Sequence, residues 1–501
     1  MSHKRSIFKI ISLVVVLSLL ITFGSSQAKP VQAAAGNTII YNLYATDGWV
    51  TLADGTTLYT YGFVGGRQGD PLTFANSSKD GKPAGNTFLP KGPPAPTAGA
   101  MTSEEAKLAG NAQFPAPVIF AAVGDVIEIR LKNLGVTAPD APNDPHSIHL
   151  HGLDVDAAND GVPETSIGAV PVPTENESEG FGEGNVVVYM FTPKYPGTYM
   201  YHCHQEADIH VQMGMYGALI IYNQTDPAAA VGPGKGKGGN LYGWNYDKDY
   251  VMLLSEVDTR QHISEEFSYN PPFNPVDYQP QYWFINGLSF PNTIHVGLNW
   301  TDWIASHPNY DPFITGSISL KHTNSKATNG EKVLVRVINM GFETQPMHMH
   351  GFHGKIIGSD QRGWSWANDP AKTPFGQGLE KNTLTIGSGE TYDWLLDFGQ
   401  QSMYTSTYPP GSNGLPASTF PGGSQTRYND QGPVSNTSTG DPVIPLPGDD
   451  NVFYTGGPVV TGLHDMPMTG QLFPFHNHDD YKATNDGEYP GGMFTMIMTL
   501  P

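Results

Sequence analysis

Apolar residues fall in short runs bounded by turn formers. Asn37–Tyr44, Pro117–Asn133, Val186–Tyr201, Glu331–Asn339, Thr383–Ile386 and Thr391–Phe398 are rich in Val, Ile, Tyr and Phe. These residues suit a pleated, half-buried surface, so each run predicts strand. Gly124-Asp125 interrupts the second run and predicts a hairpin turn there. No long stretch carries a 3.6-residue apolar period, and a short helix is expected near Ser103–Gly110. Chains patterned this way bury sheet against sheet. The expected fold is all-β, with sandwich domains.

Breaks in the pattern divide the chain. Asp226–Asn240 (DPAAAVGPGKGKGGN) is rich in Gly, Pro and Ala and reads as an interdomain linker. The expected division is a first domain over 34–225, a linker over 226–247 and a second domain over 248–501. Tyr408–Pro458, rich in Gly, Pro, Ser and Asn, predicts a long loop insertion in the second domain. The halves look like weak repeats. The first has Gly124-Asp125, a strand, HSIHLHG, then a strand ending in YHCH; the second has Gly330-Glu331, a strand, QPMHMHG, then FHNH. Tandem copies of one domain explain this most simply.

The first residues form a separate pattern. Lys4, Arg5 and Lys9 flank or precede an apolar run from Ile10 to Phe23, followed by small residues around Val31, Ala33 and Ala34. This is the layout of a secretory signal, and the run is short for a membrane span, which needs about 20 residues. Residues 1–33 are expected to be cleaved, leaving a secreted or otherwise extracytoplasmic protein. They hold four basic residues and no acid, so their loss leaves 22 basic against 47 acidic residues, a net charge of −25 rather than −21.

That acidity argues against nucleic acid or an anionic membrane surface as partner. The hydrophobic content of 39% is enough for real cores. A single cysteine among 501 residues excludes an intrachain disulfide framework, a four-thiolate iron–sulfur cluster and a Cys₄ zinc site.

The histidines carry the chemistry. His146, His149 and His151 make H-x-x-H-x-H; His202 and His204 flank Cys203; His210 and Met215 follow; His348/His350 and His476/His478 make two more H-x-H pairs. On a strand, side chains two apart share a face. Each H-x-H pair therefore presents two imidazoles to one side, and Cys203 points opposite to His202 and His204. His146, three before His149, falls on the opposite face from His149 and His151. One site would take His146, Cys203, His210 and Met215, the two imidazoles, thiolate and weak thioether of an electron-transfer copper. The other would take His149, His151, His202 and His204 with imidazoles from the second half. Eight neutral imidazoles suit three coppers. Cys203 is bonded through the backbone to both His202 and His204, a covalent route between the sites. The remaining histidines, His262 and His353 among them, read as satisfied or exposed side chains.

These motifs resemble the multicopper oxidases, built from cupredoxin (Greek-key β-sandwich) domains. The resemblance covers both halves and is strongest at HSIHLHG, YPGTYMYHCH, HVQMGM, MHMHG and HNH. It is closest to the two-domain, laccase-like type with type 1 copper in the first domain, a layout shared with copper nitrite reductases. It implies type 1 ligands at His146, Cys203, His210 and Met215, and type 2 ligands at His149 and His348. It implies type 3 ligands at His151, His202, His204, His350, His476 and His478, hence about four coppers per chain. Gln345 and Asn477 stand where His146 and Cys203 stand in the first half, so the second half keeps only its share of the cluster although Met493 remains. The Cys203–His210 spacing of seven exceeds the five usual in the oxidases and leans toward the reductase pattern. The resemblance also implies a homotrimer, its clusters shared between chains.

The implied activity is one-electron oxidation of a phenolic or metal-ion donor, coupled to reduction of O₂ to water. Electrons would enter through an exposed edge of His210 or His146 and pass by Cys203, His202 and His204. Asp154 and Asp160, just after HLHG, are candidates for proton delivery. Asp144, Glu206 and Asp208 could attract Mn²⁺ or Fe²⁺. Two alternatives stand beside this reading: a copper nitrite reductase, which needs only one histidine from the second half, and a non-enzymatic copper-binding protein, which needs no Cys–His link.

Overall fold

Burial alternates along the strands and sets the layers. Over residues 126–131 the inward residues Ile127, Ile129 and Leu131 are buried while Val126, Glu128 and Arg130 are half-exposed, the period of a strand covered on one face. In the computed structural model the described residues are 36–74, 87–172, 185–234, 238–290, 292–294, 318–321, 332–350, 353–364, 379–397, 434–435, 442–443 and 471–500.

The first half is a two-layer sandwich. One sheet runs Thr57–Arg67, Thr38–Thr51, Val126–Asn133, Val186–Phe191; the other runs Ile119–Ala122, Tyr216–Tyr222, Gly197–His202, His149–His151. Their inner faces share one apolar core, with Tyr41, Leu43 and Ile129 from one sheet and Leu150, Tyr201 and Leu219 from the other. The second half repeats the plan. Lys248–Val257 lies parallel to Lys332–Asn339 as Thr38–Thr51 lies parallel to Val126–Asn133. Ile318–Lys321 lies parallel to Phe494–Leu500 as Ile119–Ala122 lies parallel to Tyr216–Tyr222. Even a buried carboxylate recurs: Asp47 accepts from the backbone N–H of Thr137 and Ala138, and Glu256 from those of Phe342 and Glu343. The all-β, tandem-sandwich expectation holds.

Three local expectations do not. Gly124-Asp125 is not a hairpin turn: Ile119–Ala122 and Val126–Asn133 belong to opposite sheets. The Asp125 carboxylate accepts from Ala122 and Asn37 N–H and so fixes a crossing between layers. The segment expected as a linker is folded. Ala228–Val231 forms a helical turn, and Gly239–Leu241 pairs with Trp244–Tyr246. Leu241 and Tyr246 pack on Leu334, Ile357 and Leu395, which gives this Gly-rich stretch an apolar anchor. Near Ser103–Gly110 only a 3₁₀ turn, Glu105–Lys107, forms. The signal at 1–33 lies outside the described residues, as does most of the 408–458 insertion.

A buried ionic cluster joins the two sandwiches. Arg336 is 1% exposed; its Nε donates to Asp249 at 2.9 Å and its Nη1 to Thr198 Oγ1 at 3.2 Å. Thr198 donates on to Asp393 at 2.6 Å, so the strand leading to His202 is tied to the second half. Removing one partner of such a cluster leaves an uncompensated buried charge. Arg336→Met is expected to lower unfolding stability by about 3–5 kcal/mol, read as a lower urea midpoint. A loss below about 1 kcal/mol, the scale of an exposed pair, would contradict this account.

Candidate metal centre

Strand register builds the site. His149–His151 pairs antiparallel with Gly197–His202, placing His149 opposite His202. Cys203 is the next residue and turns the other way, into the apolar core, where it is fully buried. His146 precedes the strand and is fixed by a reciprocal backbone bridge to Ala169. The long Cys203–His210 spacing is taken up by one helical turn, Ala207–His210, entered through Glu206 in a left-handed conformation. Cys203 N–H donates to the Met215 carbonyl at 2.9 Å, and Met215 N–H to the His210 carbonyl at 3.0 Å.

The side chains of His146, Cys203 and His210 converge, with Met215 buried in the same core. Cys203 Sγ lies 3.8 Å from His146 Nδ1 and 3.5 Å from His210 Nδ1. The Ser147 N–H points at the same sulfur at 3.5 Å. Burial, with His210 next to it, holds His146 well below the usual imidazole range. Burial also acts to lower His210, but the Cys203 and Asp144 charges outweigh it and push the ring up to about 10. His146 is thus a neutral nitrogen donor beside the Cys203 sulfur, a donor set that suits copper.

Four imidazoles stand on the other face of the same strands. His149 lies 5.5, 5.0 and 5.2 Å, ring centre to ring centre, from His151, His202 and His204. Their orientation is set from behind. His149 Nδ1 is 2.7 Å from the Asp160 carbonyl, and His202 Nδ1 is 2.8 Å from the Cys203 carbonyl. The second half repeats this: His348 pairs with His476, and His348, His350, His476 and His478 cluster with ring centres 4.8 to 6.0 Å apart. There His348 Nδ1 meets Thr383 Oγ1 and His476 Nδ1 meets the Asn477 carbonyl, each at 2.8 Å. Among the described residues no ring of one quartet contacts a ring of the other. His350 and His478 are exposed.

The family profile described as multicopper oxidase matches residues 90–225 and 297–404. The chain belongs to the multicopper oxidases. It is 28% identical over 314 residues to copper resistance protein A of Escherichia coli, covering 59% of this chain and 43% of that protein. It is 25% identical over 233 residues to the multicopper oxidase MmcO of Mycobacterium tuberculosis, covering 46% of this chain and 38% of that protein. The match thus spans about two fifths of the length of these curated relatives. A crystal structure of a blue copper oxidase from Nitrosomonas europaea superposes with a TM-score of 0.49 and 19% identity, covering 92% of this chain and 86% of that one. The sandwiches are cupredoxin domains, and the family implies copper.

The Cys203 site is enclosed by its own chain. His210 is fully buried and His146 is 3% exposed, so neither offers the exposed edge expected from the sequence. The cover is the helix Thr259–Glu266 of the second half, capped by Asp258. Gln261 donates to the Asp208 carbonyl at 3.1 Å, and His262 bridges the carbonyls of Tyr59 and Gln212. His262 is therefore a satisfied core histidine. This helix was missed because its buried face is polar and carries no apolar period; Asp258 with Gln261 three residues on is the capping signal that marks it. Asp160 sits at the His149 quartet, its Oδ1 3.4 Å from Nδ1. Asp154 does not: it is 58% exposed and pairs with Arg362 at 3.9 Å, because the chain turns outward after Gly152.

The second half closes the place where a copper site would be. Asn477 donates to Gln345 at 2.6 Å and to Met493 Sδ at 3.4 Å, and Gln345 donates to Glu256 at 2.7 Å. Amide donors replace thiolate and imidazole, as expected of a copy without that metal. Burial raises the Glu256 carboxyl from 4.5 to about 7. Between these values the native state holds a proton that the unfolded chain has lost, so this group's contribution falls as pH rises through the window. Urea unfolding of copper-free protein should show stability falling by up to about 1.4 kcal/mol per pH unit more steeply than in Glu256→Gln. Parallel pH profiles would contradict the assignment.

Proposed function

We propose that the protein is an extracytoplasmic multicopper oxidase, coupling one-electron oxidation of a metal-ion or phenolic donor to reduction of O₂ to water. One observation carries this reading. The thiol of Cys203 faces two imidazole nitrogens, while the adjacent His202 and His204 stand in a separate imidazole quartet. Copper bound at these places supplies one-electron redox chemistry and O₂ reduction, on the scale of about four ions per chain.

The chain's own groups do the rest. His146, Cys203, His210 and Met215 hold the type 1 position. The enclosing core excludes water and keeps the ligand geometry fixed, which limits reorganisation on electron transfer. Cys203 links by backbone bonds to His202 and His204, and the His202 Nδ1 contact to the Cys203 carbonyl adds a second connection. Nδ1 contacts behind His149, His202, His348 and His476 leave Nε2 of each ring as the metal-facing nitrogen. His151, His204, His350 and His478 complete the eight. The 3.4 Å separation of Asp160 Oδ1 from His149 Nδ1 supports a role for this carboxylate in proton supply.

The half-exposed second quartet and its separation from the first support assembly of the cluster between chains. A homotrimer, in which each first quartet meets the second quartet of a neighbour, satisfies both. The carboxylates of Asp144 and Glu206 gather at the Nε2 side of His210, with Asp144 3.7 Å away. This favours a metal cation as one donor class. The four clustered second-half imidazoles speak against a nitrite reductase, which needs one. The Cys203 linkage speaks against mere copper storage.

Oxygen uptake by copper-loaded protein, offered Fe²⁺, Mn²⁺ and hydroquinone in turn, tests the reading. His476→Ala is expected to abolish uptake while keeping the blue colour, and Cys203→Ser to lose the colour as well. Nitrite consumption without oxygen uptake would overturn the oxidase reading.

A further inference from the structure

His210 and His146 are buried beneath the Thr259–Glu266 helix, so a bulky donor at the surface cannot touch either ring. A line of aromatic side chains leads outward from them. The Tyr61 ring centre lies 5.7 Å from that of His210 and 6.1 Å from that of His146. Tyr59 follows at 5.6 Å and Trp49 at a further 5.0 Å. Strand geometry makes the line: Tyr59 and Tyr61 are two apart on one strand, and Trp49 is directly paired with Tyr59 across the sheet. The line ends just under the surface, where the Trp49 indole donates to Glu266 at 3.0 Å beside the stacked, half-exposed rings of Phe267 and Tyr269.

An aromatic face inside a sandwich ordinarily serves packing alone. Here the polar ends differ in a way that packing does not need. The Tyr59 hydroxyl donates to the buried Asp47 carboxylate at 3.0 Å, so its phenolic proton already has a partner in place. Among the described residues the buried Tyr61 hydroxyl has no hydrogen-bond partner.

We propose that Trp49 and Tyr59, bridged by Tyr61, form an electron path by which an aromatic donor at the Trp49 surface reduces the buried Cys203 centre. This rests on Cys203 being the ligand of a redox-active copper. One electron leaves the donor and ends on the metal at Cys203, as Cu(II) becomes Cu(I). Trp49 and Tyr59 each give one electron inward and regain one from outside, with no net change. Tyr59 passes its phenolic proton to Asp47 when oxidised and takes it back when reduced. Tyr61, with no acceptor for its proton among the described residues, serves as a bridge and is not itself oxidised.

The test is anaerobic stopped-flow mixing of copper-loaded protein with hydroquinone, following loss of the blue absorption. Trp49→Phe and Tyr59→Phe should bleach on the order of ten-fold more slowly. Trp394→Phe, a core tryptophan of the second half, should bleach at the parent rate. Unchanged rates in both Trp49→Phe and Tyr59→Phe would overturn the path. Absence of blue absorption in the parent would instead overturn the copper reading. A second readout needs no copper: after azide-radical oxidation of copper-free protein, part of the tryptophan-to-tyrosine radical transfer should vanish in each variant. Full amplitude in both would likewise overturn the proposal.

Discussion

The antiparallel register that sets His149 opposite His202 governs the chemistry of this molecule. Because a strand alternates its faces, that single alignment puts His149, His151 and His202 on one side and turns Cys203 to the other. A slip of one residue would send the thiol to the imidazole quartet and a histidine into the core. The register is held by main-chain pairing on both sides of Gly197–His202, and by the Arg336 cluster that ties Thr198 to the second sandwich. The same alignment recurs at His348 and His476, which makes the second half a geometric copy despite its changed residues.

What the copies do not share is equally physical. In the first half a thiol and two imidazoles face one another in a dry core. In the second half, Gln345 and Asn477 satisfy each other and lean on Glu256, so the equivalent space is closed by hydrogen bonds. A buried amide pair that is fully satisfied is stable without a metal. Burial of the first site is completed from outside its own sandwich, by a helix whose polar residues bond to the backbone of the metal loop. Enclosure protects the donor set from water and makes access for a donor depend on the groups around it.

Much of this was legible in the sequence. The spacing of the histidines around Cys203, read with a period of two, sorted His146 from His149 and His151, and the geometry keeps that sorting. The strands and the repeat were visible in their apolar runs. The turn at Gly124-Asp125 was misread because a Gly-Asp pair marks a change of direction but not the sheet that receives the next strand. The supposed linker was misread because Gly and Pro content outweighed Leu241 and Tyr246, whose burial only the second sandwich provides. Asp154 looked equivalent to Asp160 on spacing alone; the turn after Gly152 separates them. The covering helix and the Trp49–Tyr59–Tyr61 line depend on contacts between distant segments, and no local pattern carries those.

The most direct measurement is anomalous scattering at the copper edge from crystals soaked in copper. The account predicts a peak bounded by His146, Cys203 and His210, and none at Gln345 and Asn477. It also predicts peaks where the first-half imidazoles of one chain meet the second-half imidazoles of a neighbour. A map with no peak at Cys203, or with copper seated at Gln345 and Asn477, would contradict it.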